Sequence, residues 1–186
     1  MSRVGSTKLT SRQFLRMGED PEGVRLELVN GDISVSPSAS PYHSQVDTRL
    51  RSLLQQYIDA NDLGILMGDV DVVFDDLNTR RPDILFISRA RAGMIHHNGI
   101  FGPPDLCVEI VSPGSATDDR VEKFALYQKY GVANYWIIDH HPKMVEAFVL
   151  RDGVFQLVAT GRDLDVVKLP PFENLAISLG NIWPRM

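Results

Sequence analysis

The chain has one cysteine, no long apolar run and no excess of positive charge, and each of these shortages excludes something. With Cys107 alone, no internal disulfide can form. Cys107 lies in the apolar run Leu106-Cys107-Val108, which predicts a buried thiol; a nucleophilic cysteine needs an exposed, electropositive setting. No stretch approaches the ~20 apolar residues that cross a bilayer, and the first residues hold no continuous apolar segment. The expectation is a cytoplasmic protein. Lysine and arginine number 19 against 24 aspartates and glutamates, a net charge of -5. That balance excludes a loose coat on nucleic acid, whose affinity comes from neutralising phosphates. It leaves room for an enzyme, because carboxylates that hold cations also make a chain acidic. Repeats, low-complexity tracts and a linker are absent. So are the Gly-x-x-x-x-Gly-Lys phosphate loop and a serine–histidine–aspartate order.

What is present is an ordinary globular composition, 44% hydrophobic and 23% charged over 186 residues. This predicts a single domain, 1–186. Thr10 or Ser11 caps a short helix carrying Phe14, Leu15 and Met17. Val24–Val35 holds two alternating runs around Asn30-Gly31, a hairpin signal, with Val24, Leu26 and Leu28 facing one way and Arg25 and Glu27 the other. Val46, Leu50, Leu53, Leu54, Tyr57 and Ile58 recur at helical spacing, so a helix runs from about Tyr42 to Ala60. Strands are predicted near Ile65–Met67, Val70–Phe74 and Pro82–Ser88, then an irregular or helical excursion over Arg89–Pro104. Asp105–Ser112 is a buried strand, broken by Pro113-Gly114. A helix over Asp118–Tyr130, with Asp118 and Asp119 at its N-terminal end, stops at Gly131. Tyr135–Asp139 is a strand buried on both faces, Met144–Leu150 and Phe155–Ala159 form a hairpin, and Phe172–Trp183 caps the domain. The order predicts an α/β (α+β) fold, a mixed central β-sheet flanked by helices.

The informative residue is Glu109, at the centre of an apolar strand. A buried carboxylate needs a partner. Alternation puts Cys107, Glu109 and Val111 on one face and Leu106, Val108 and Ile110 on the other. Asp83 opens another apolar strand, directly after Pro82. If the two strands are neighbours, both carboxylates meet at one end of the sheet, and a divalent cation relieves their repulsion. Oxygen ligands favour Mg²⁺ or Mn²⁺. Lys123 shares a helix stripe with Leu126, Tyr127 and Tyr130, so it can face the sheet. Three blander readings stand beside these: Asp83 as a turn residue, Glu109 as half of a structural ion pair, and Lys123 as a solvated lysine. His96-His97 read as loop residues, His140-His141 as a turn, and Asp71, Asp75 and Asp76 as solvated carboxylates around a turn.

Four segments carry a resemblance: Arg81-Pro-Asp83-Ile-Leu-Phe-Ile87, Pro104–Pro113, Asp119–Tyr127 and Tyr130–Asp139. Together with the Leu26–Asp32 hairpin and the Ser40-Pro-Tyr-His43 loop, they resemble the Uma-type restriction endonuclease family of the PD-(D/E)XK nuclease superfamily, over roughly Thr10 to Trp183. The resemblance implies a restriction-endonuclease-like core. It implies that Asp83 and Glu109 bind Mg²⁺ or Mn²⁺ with the Ile110 carbonyl as a further ligand. The superfamily lysine two residues after the glutamate is missing, since Val111 stands there, and Lys123 on the following helix takes its place. Glu27 and His43 match family positions near the site as auxiliary residues. A homodimer acting on DNA is the implied assembly. Three functions stay open: a metal-dependent endonuclease, a non-catalytic nucleic-acid-binding or interaction module that keeps the fold, and a metal phosphodiesterase for a smaller substrate.

Overall fold

The structure, a computed structural model, describes residues 8–111 and 118–184. Helix α1 (Ser11–Phe14) starts at a capping box, in which the Thr10 hydroxyl accepts from the Gln13 amide and the Gln13 side chain returns to the Thr10 amide. Strands β1 (Val24–Val29) and β2 (Asp32–Pro37) form the expected hairpin. Its turn residues Asn30 and Gly31 have φ of 51° and 79°, the positive pair that a two-residue turn between twisted strands requires. Helix α2 (Pro41–Ala60) begins with Ser40 as N-cap and Pro41 in its first turn. Then come β3 (Gly64–Met67), β4 (Val72–Asp75), β5 (Asn78–Arg80) and β6 (Ile84–Ser88).

The excursion after β6 is more ordered than the sequence suggested. A 3₁₀ turn, Arg89–Met94, leads into a short hairpin of β7 (Ile95–His96) and β8 (Gly99–Phe101). Strand β8 joins β4 in parallel. Strand β9 (Leu106–Val111) follows; the expected Pro113-Gly114 break lies outside the described residues. The next helix opens as a π-helical turn, Asp118–Lys123, before α3 (Phe124–Tyr130) ends at Gly131 with φ of 85°. The side chains of Asp118 and Asp119 also fall outside the described residues. Strands β10 (Asn134–Asp139), β11 (Met144–Arg151) and β12 (Val154–Arg162) form a meander, and β13 (Val166–Val167) pairs with β14 (Ile177–Ser178).

The strands build two six-stranded sheets. One, in the order β12-β11-β10-β9-β6-β3, is the mixed central sheet, with β9 and β10 parallel and β6 antiparallel to β9. The other runs β2-β1-β5-β4-β8-β7. The α+β class is as expected; the sequence indicated one central sheet and not the second, which is joined through β5, a strand of three buried polar residues.

The two faces of β9 go to different places. Leu106, Val108 and Ile110 enter the main core with Val46, Leu50, Leu54 and Ile58 of α2 and with Trp136 and Ile138 of β10. Cys107 and Val111 join Tyr127, Val132, Tyr135 and Ile137 on the other side. The tail closes the first core as expected, with Phe172, Leu179, Ile182 and Trp183 buried in it. Of the aspartates around β4, Asp76 is exposed as expected, and Asp71 and Asp75 depart from expectation. Asp71 is tied to Arg81 at 3.1 Å, and Asp75 accepts from Tyr130, from the Asn78 side chain at 2.9 Å and from the Leu77 amide at 2.8 Å. Both carboxylates satisfy specific donors, Asp75 where the second sheet meets α3, so they are not simply solvated.

Candidate active site

Strand pairing brings the two carboxylates together. Ile84 of β6 lies opposite Val108 of β9. One step further along this antiparallel register places Asp83 opposite Glu109, and directly opposed residues share a face of the sheet. Both are buried, at 7% and 1% exposed.

Pro82 then shapes the ladder. Two steps beyond the Ile84–Val108 pair, Ile110 comes to face Pro82, which has no N–H to give. The Ile110 amide donates instead to Asp83 Oδ2 at 2.7 Å. The Pro82 carbonyl turns to the Asp69 amide at 3.3 Å. In a strand the N–H and C=O of one residue point to the same side, so the Ile110 carbonyl is directed toward Asp83, where the neighbouring strand offers no amide partner.

Asp83 has further partners. Its Oδ2 faces His43 Nε2 at 3.0 Å, and its Oδ1 accepts from Arg25 at 2.9 Å. Its backbone carbonyl accepts from Arg51 at 3.0 Å. Burial works against the Asp83 charge, but the His43 hydrogen bond and the charges of His43, Arg25 and Lys123 outweigh it and hold the carboxyl far below its usual range. The His43 ring has the complementary shift: burial disfavours its charge, and Asp83 raises its pKa nonetheless.

Glu109 is held from α3 and the π turn before it. Lys123 Nζ donates to one carboxylate oxygen at 2.8 Å and the Tyr127 hydroxyl to the other at 2.7 Å. Residues four apart lie on one helix face, so both reach the same carboxylate. The π turn ends at Lys123, and π turns that run into α-helices are frequent at functional sites. Lys123 is only 6% exposed, which rules out the solvated reading.

Glu27 sits beside this pair but faces other partners. Its oxygens accept from Arg80 at 3.1 Å and from the Arg81 amide at 2.6 Å. Burial would raise its pKa; Lys123, Arg80 and Arg25 pull it below the ordinary value. Arg25, on the same face of β1, reaches the Arg81 carbonyl as well as Asp83. Burial opposes its charge, while Asp83, Glu109 and Glu27 hold the guanidinium more firmly protonated than usual.

Asp83, Glu109, Lys123, Glu27, His43 and Ile110, singled out in the sequence, therefore converge. Sequence reasoning missed Arg25, Arg80 and Tyr127 as parts of the network. The signal for Arg25 was its place on the Glu27 face of β1; Arg80 offered none. A cleft of about 250 Å³ opens over Asp83, lined by Arg25, His43, Asp47, Arg51, Asp69 and Arg81 among others. Among the described residues no group of three or more His, Cys, Asp or Glu could hold a metal ion. A cation here would rest on two carboxylates and one main-chain oxygen. That all-oxygen set fits a hard divalent ion, which completes its coordination with water or phosphate oxygens.

The remaining candidates bond to none of the three central side chains, although His140 lies near His43 and Cys107 shares the Glu109 face of β9. His96 packs edge-on against Phe101 with ring centroids 5.0 Å apart, and His140-His141 form the turn after β10. Cys107 is fully buried, and burial pushes its thiol pKa well up. No helix among the described residues is long and apolar enough to cross a membrane.

The fold is similar to that of a protein from Anabaena variabilis ATCC 29413 described as "a putative nuclease belonging to DUF820". The TM-score is 0.76 at 20% identity, covering 94% of this chain and 97% of that one. A chain of a DrdV–DNA complex matches at a TM-score of 0.40 and 20% identity, over 64% of this chain and 10% of that one; a likeness at that level carries no argument. No curated protein matches. The family model that matches is Uma2, described as "Putative restriction endonuclease", over residues 11–180, and the chain belongs to that family.

Proposed function

We propose that the chain is a metal-dependent endonuclease that hydrolyses phosphodiester bonds of DNA. The observation that carries this reading is the placement of Asp83 and Glu109 opposite one another on one buried sheet face, with Lys123 bonded to Glu109. In this reading Asp83, Glu109 and the Ile110 carbonyl hold Mg²⁺ or Mn²⁺. The ion, when bound, would supply a more acidic water and a counter-charge for the phosphate. Lys123 orients the attacking water and stabilises negative charge developing on the phosphate. Tyr127 fixes the other oxygen of Glu109, so that carboxylate cannot rotate away. His43 and the Ile110 amide fix Asp83. Glu27 positions Arg80 and the Arg81 backbone just before Pro82-Asp83. The reading also takes residues 1–186 as one domain, acting in the cytoplasm as a homodimer, since two sites suit a double-strand break.

A second reading has one observation in its favour. The buried carboxylates are already matched by Arg25, Arg80 and Lys123. A module that keeps the fold without catalysis would carry such a set of matched buried charges.

The test is cleavage of supercoiled plasmid, single-stranded DNA and RNA in Mn²⁺, Mg²⁺ or EDTA, beside Glu109→Ala and Lys123→Ala. Metal-dependent cutting of DNA that disappears in both variants is the expected result. Cutting that persists in Glu109→Ala overturns the site assignment. Absence of cutting on every substrate, with no Mn²⁺ binding by calorimetry, favours the non-catalytic module.

A further inference from the structure

Among the described residues the charges of the inner network come out even. Glu27, Asp83 and Glu109 supply three carboxylates, and Arg25, Arg80 and Lys123 supply three cations, with His43 against Asp83 in addition. Arg80 is spoken for by Glu27 and approaches Glu122 at 3.6 Å, and Lys123 is held on Glu109. Arg25 differs from both in one respect: its charge is placed on the carboxylate through which a cation would enter. Its guanidinium donates to Asp83 Oδ1, reaches the Arg81 carbonyl, and stands 3.7 Å from Asp69 at the rim of the cleft. Its Nε is buried without a hydrogen-bond partner. Its side chain is 21% exposed, so it has a path outward that Arg80, at 1%, lacks.

A divalent cation added beside this network would sit close to a fixed positive charge in a site largely shielded from water, where like charges repel strongly. Two outcomes follow from electrostatics. Either the ion binds weakly, or the cation nearest Asp83 Oδ1 withdraws. Asp69 offers the guanidinium a carboxylate at the cleft rim when it leaves Asp83, and its freed face is then turned to the opening where a phosphate would approach.

We propose that Arg25 is an internal counter-cation of Asp83 that competes with the divalent ion and yields Asp83 to it, moving toward the cleft, where it is available to a phosphate. This rests on the reading of Asp83 and Glu109 as metal ligands. It assigns Arg25 the opposite sign of effect from a residue that merely holds Asp83 in place. A positioning arginine strengthens metal binding; a competing one weakens it.

The experiment is calorimetric titration of Mn²⁺ into the DNA-free wild-type chain, Arg25→Gln and Arg25→Lys, with Asp83→Asn as the control. Removing one positive charge at hydrogen-bond range should tighten Mn²⁺ binding by about tenfold or more, the size of effect that a neighbouring charge has on an ionisation. Arg25→Lys, which keeps the charge, should stay within about threefold of wild type. Equal or weaker binding by Arg25→Gln, with binding still lost in Asp83→Asn, overturns the competition and leaves the metal reading intact. No binding in any of the proteins overturns both. Because Arg25→Gln could unfold, a second readout uses the wild-type chain: the Arg25 Nε–H resonance is followed while Mg²⁺ is added. Faster hydrogen exchange at saturating Mg²⁺ is the expected result, and an unchanged, protected resonance contradicts the proposal.

Discussion

The two faces of β9 are a few ångströms apart in one strand and obey different rules. On one face Leu106, Val108 and Ile110 are buried by α2 and the C-terminal tail, and nothing there needs a specific partner. On the other, Glu109 is as fully buried but is bonded through both carboxylate oxygens. The apolar face is a matter of volume, so its stability changes gradually with the atoms removed. The charged face is a matter of matching, so deleting one partner strands another. A sheet that only had to be stable would gain nothing from the second arrangement, since a buried ion pair is often no better than apolar residues of the same size. Its presence on one face alone is what the proposed catalytic reading accounts for.

Breaking the charged face should give the largest effects. Asp83→Asn and Glu109→Gln should each lower DNA cleavage by about 10²–10³-fold, and Lys123→Met by a similar factor, the size associated with losing a group that stabilises the transition state. Plasmid-nicking rates in Mn²⁺ check this. In stability, Lys123→Met should cost about 3–5 kcal/mol, because Glu109 is left as an uncompensated buried charge; the double variant Lys123→Met, Glu109→Gln should recover most of that loss. Urea unfolding of the wild type, both single variants and the double variant reads the coupling, and additive losses would contradict it.

Breaking the apolar face should be costly in stability and cheap in chemistry. Leu54→Ala should lose about 2–5 kcal/mol through cavity formation. The folded fraction should cleave at close to the wild-type rate, checked by assay below the midpoint of thermal unfolding.

The faces should also part in their response to acid. The Asp83 carboxyl is lowered from its ordinary 3.8 in the folded chain, and Glu27 from its ordinary 4.5. A lowered folded pKa contributes stability that is present above the ordinary value and is lost as pH falls through the folded one. Thermal midpoints should therefore fall below about pH 4.5 in the wild type, and Asp83→Asn should flatten that slope. His43 has the reverse sign. Its raised pKa gives stability that is complete below its ordinary 6.5 and lost as pH rises through the folded value. Leu54→Ala should shift the whole profile without changing its shape.

The smallest expected effect lies away from both faces. Thr10→Ala removes the α1 capping box at about 1 kcal/mol, with no change in cleavage rate or Mn²⁺ affinity.

How much of this was legible in the sequence follows from the same contrast. The apolar face was readable, because helical spacing in α2 and alternation in β9 record burial directly. Glu109 was readable because a charge in an apolar strand violates that record. Lys123 was visible only as a stripe member, since its burial depends on a sheet elsewhere in the chain. Strand β5 was missed because Asn78, Thr79 and Arg80 look solvated. Each is buried with a distant partner: the Asn30 amide donates to Asn78 at 3.0 Å, the Thr79 hydroxyl donates to Ser11 at 2.8 Å, and Arg80 donates to Glu27. Such partnerships depend on tertiary contacts and leave no periodicity. The β7–β8 hairpin was missed for a related reason, as its strands of two and three residues are too short to show alternation.

We propose Asp83, Glu109 and the Ile110 carbonyl as a cation site on the charged face of the sheet. The most direct measurement is anomalous diffraction from crystals soaked in Mn²⁺. A manganese peak bonded to one oxygen of each carboxylate and to the Ile110 carbonyl is the expected result. A Mn²⁺-saturated crystal with no peak there, or with manganese bound only elsewhere, would contradict it.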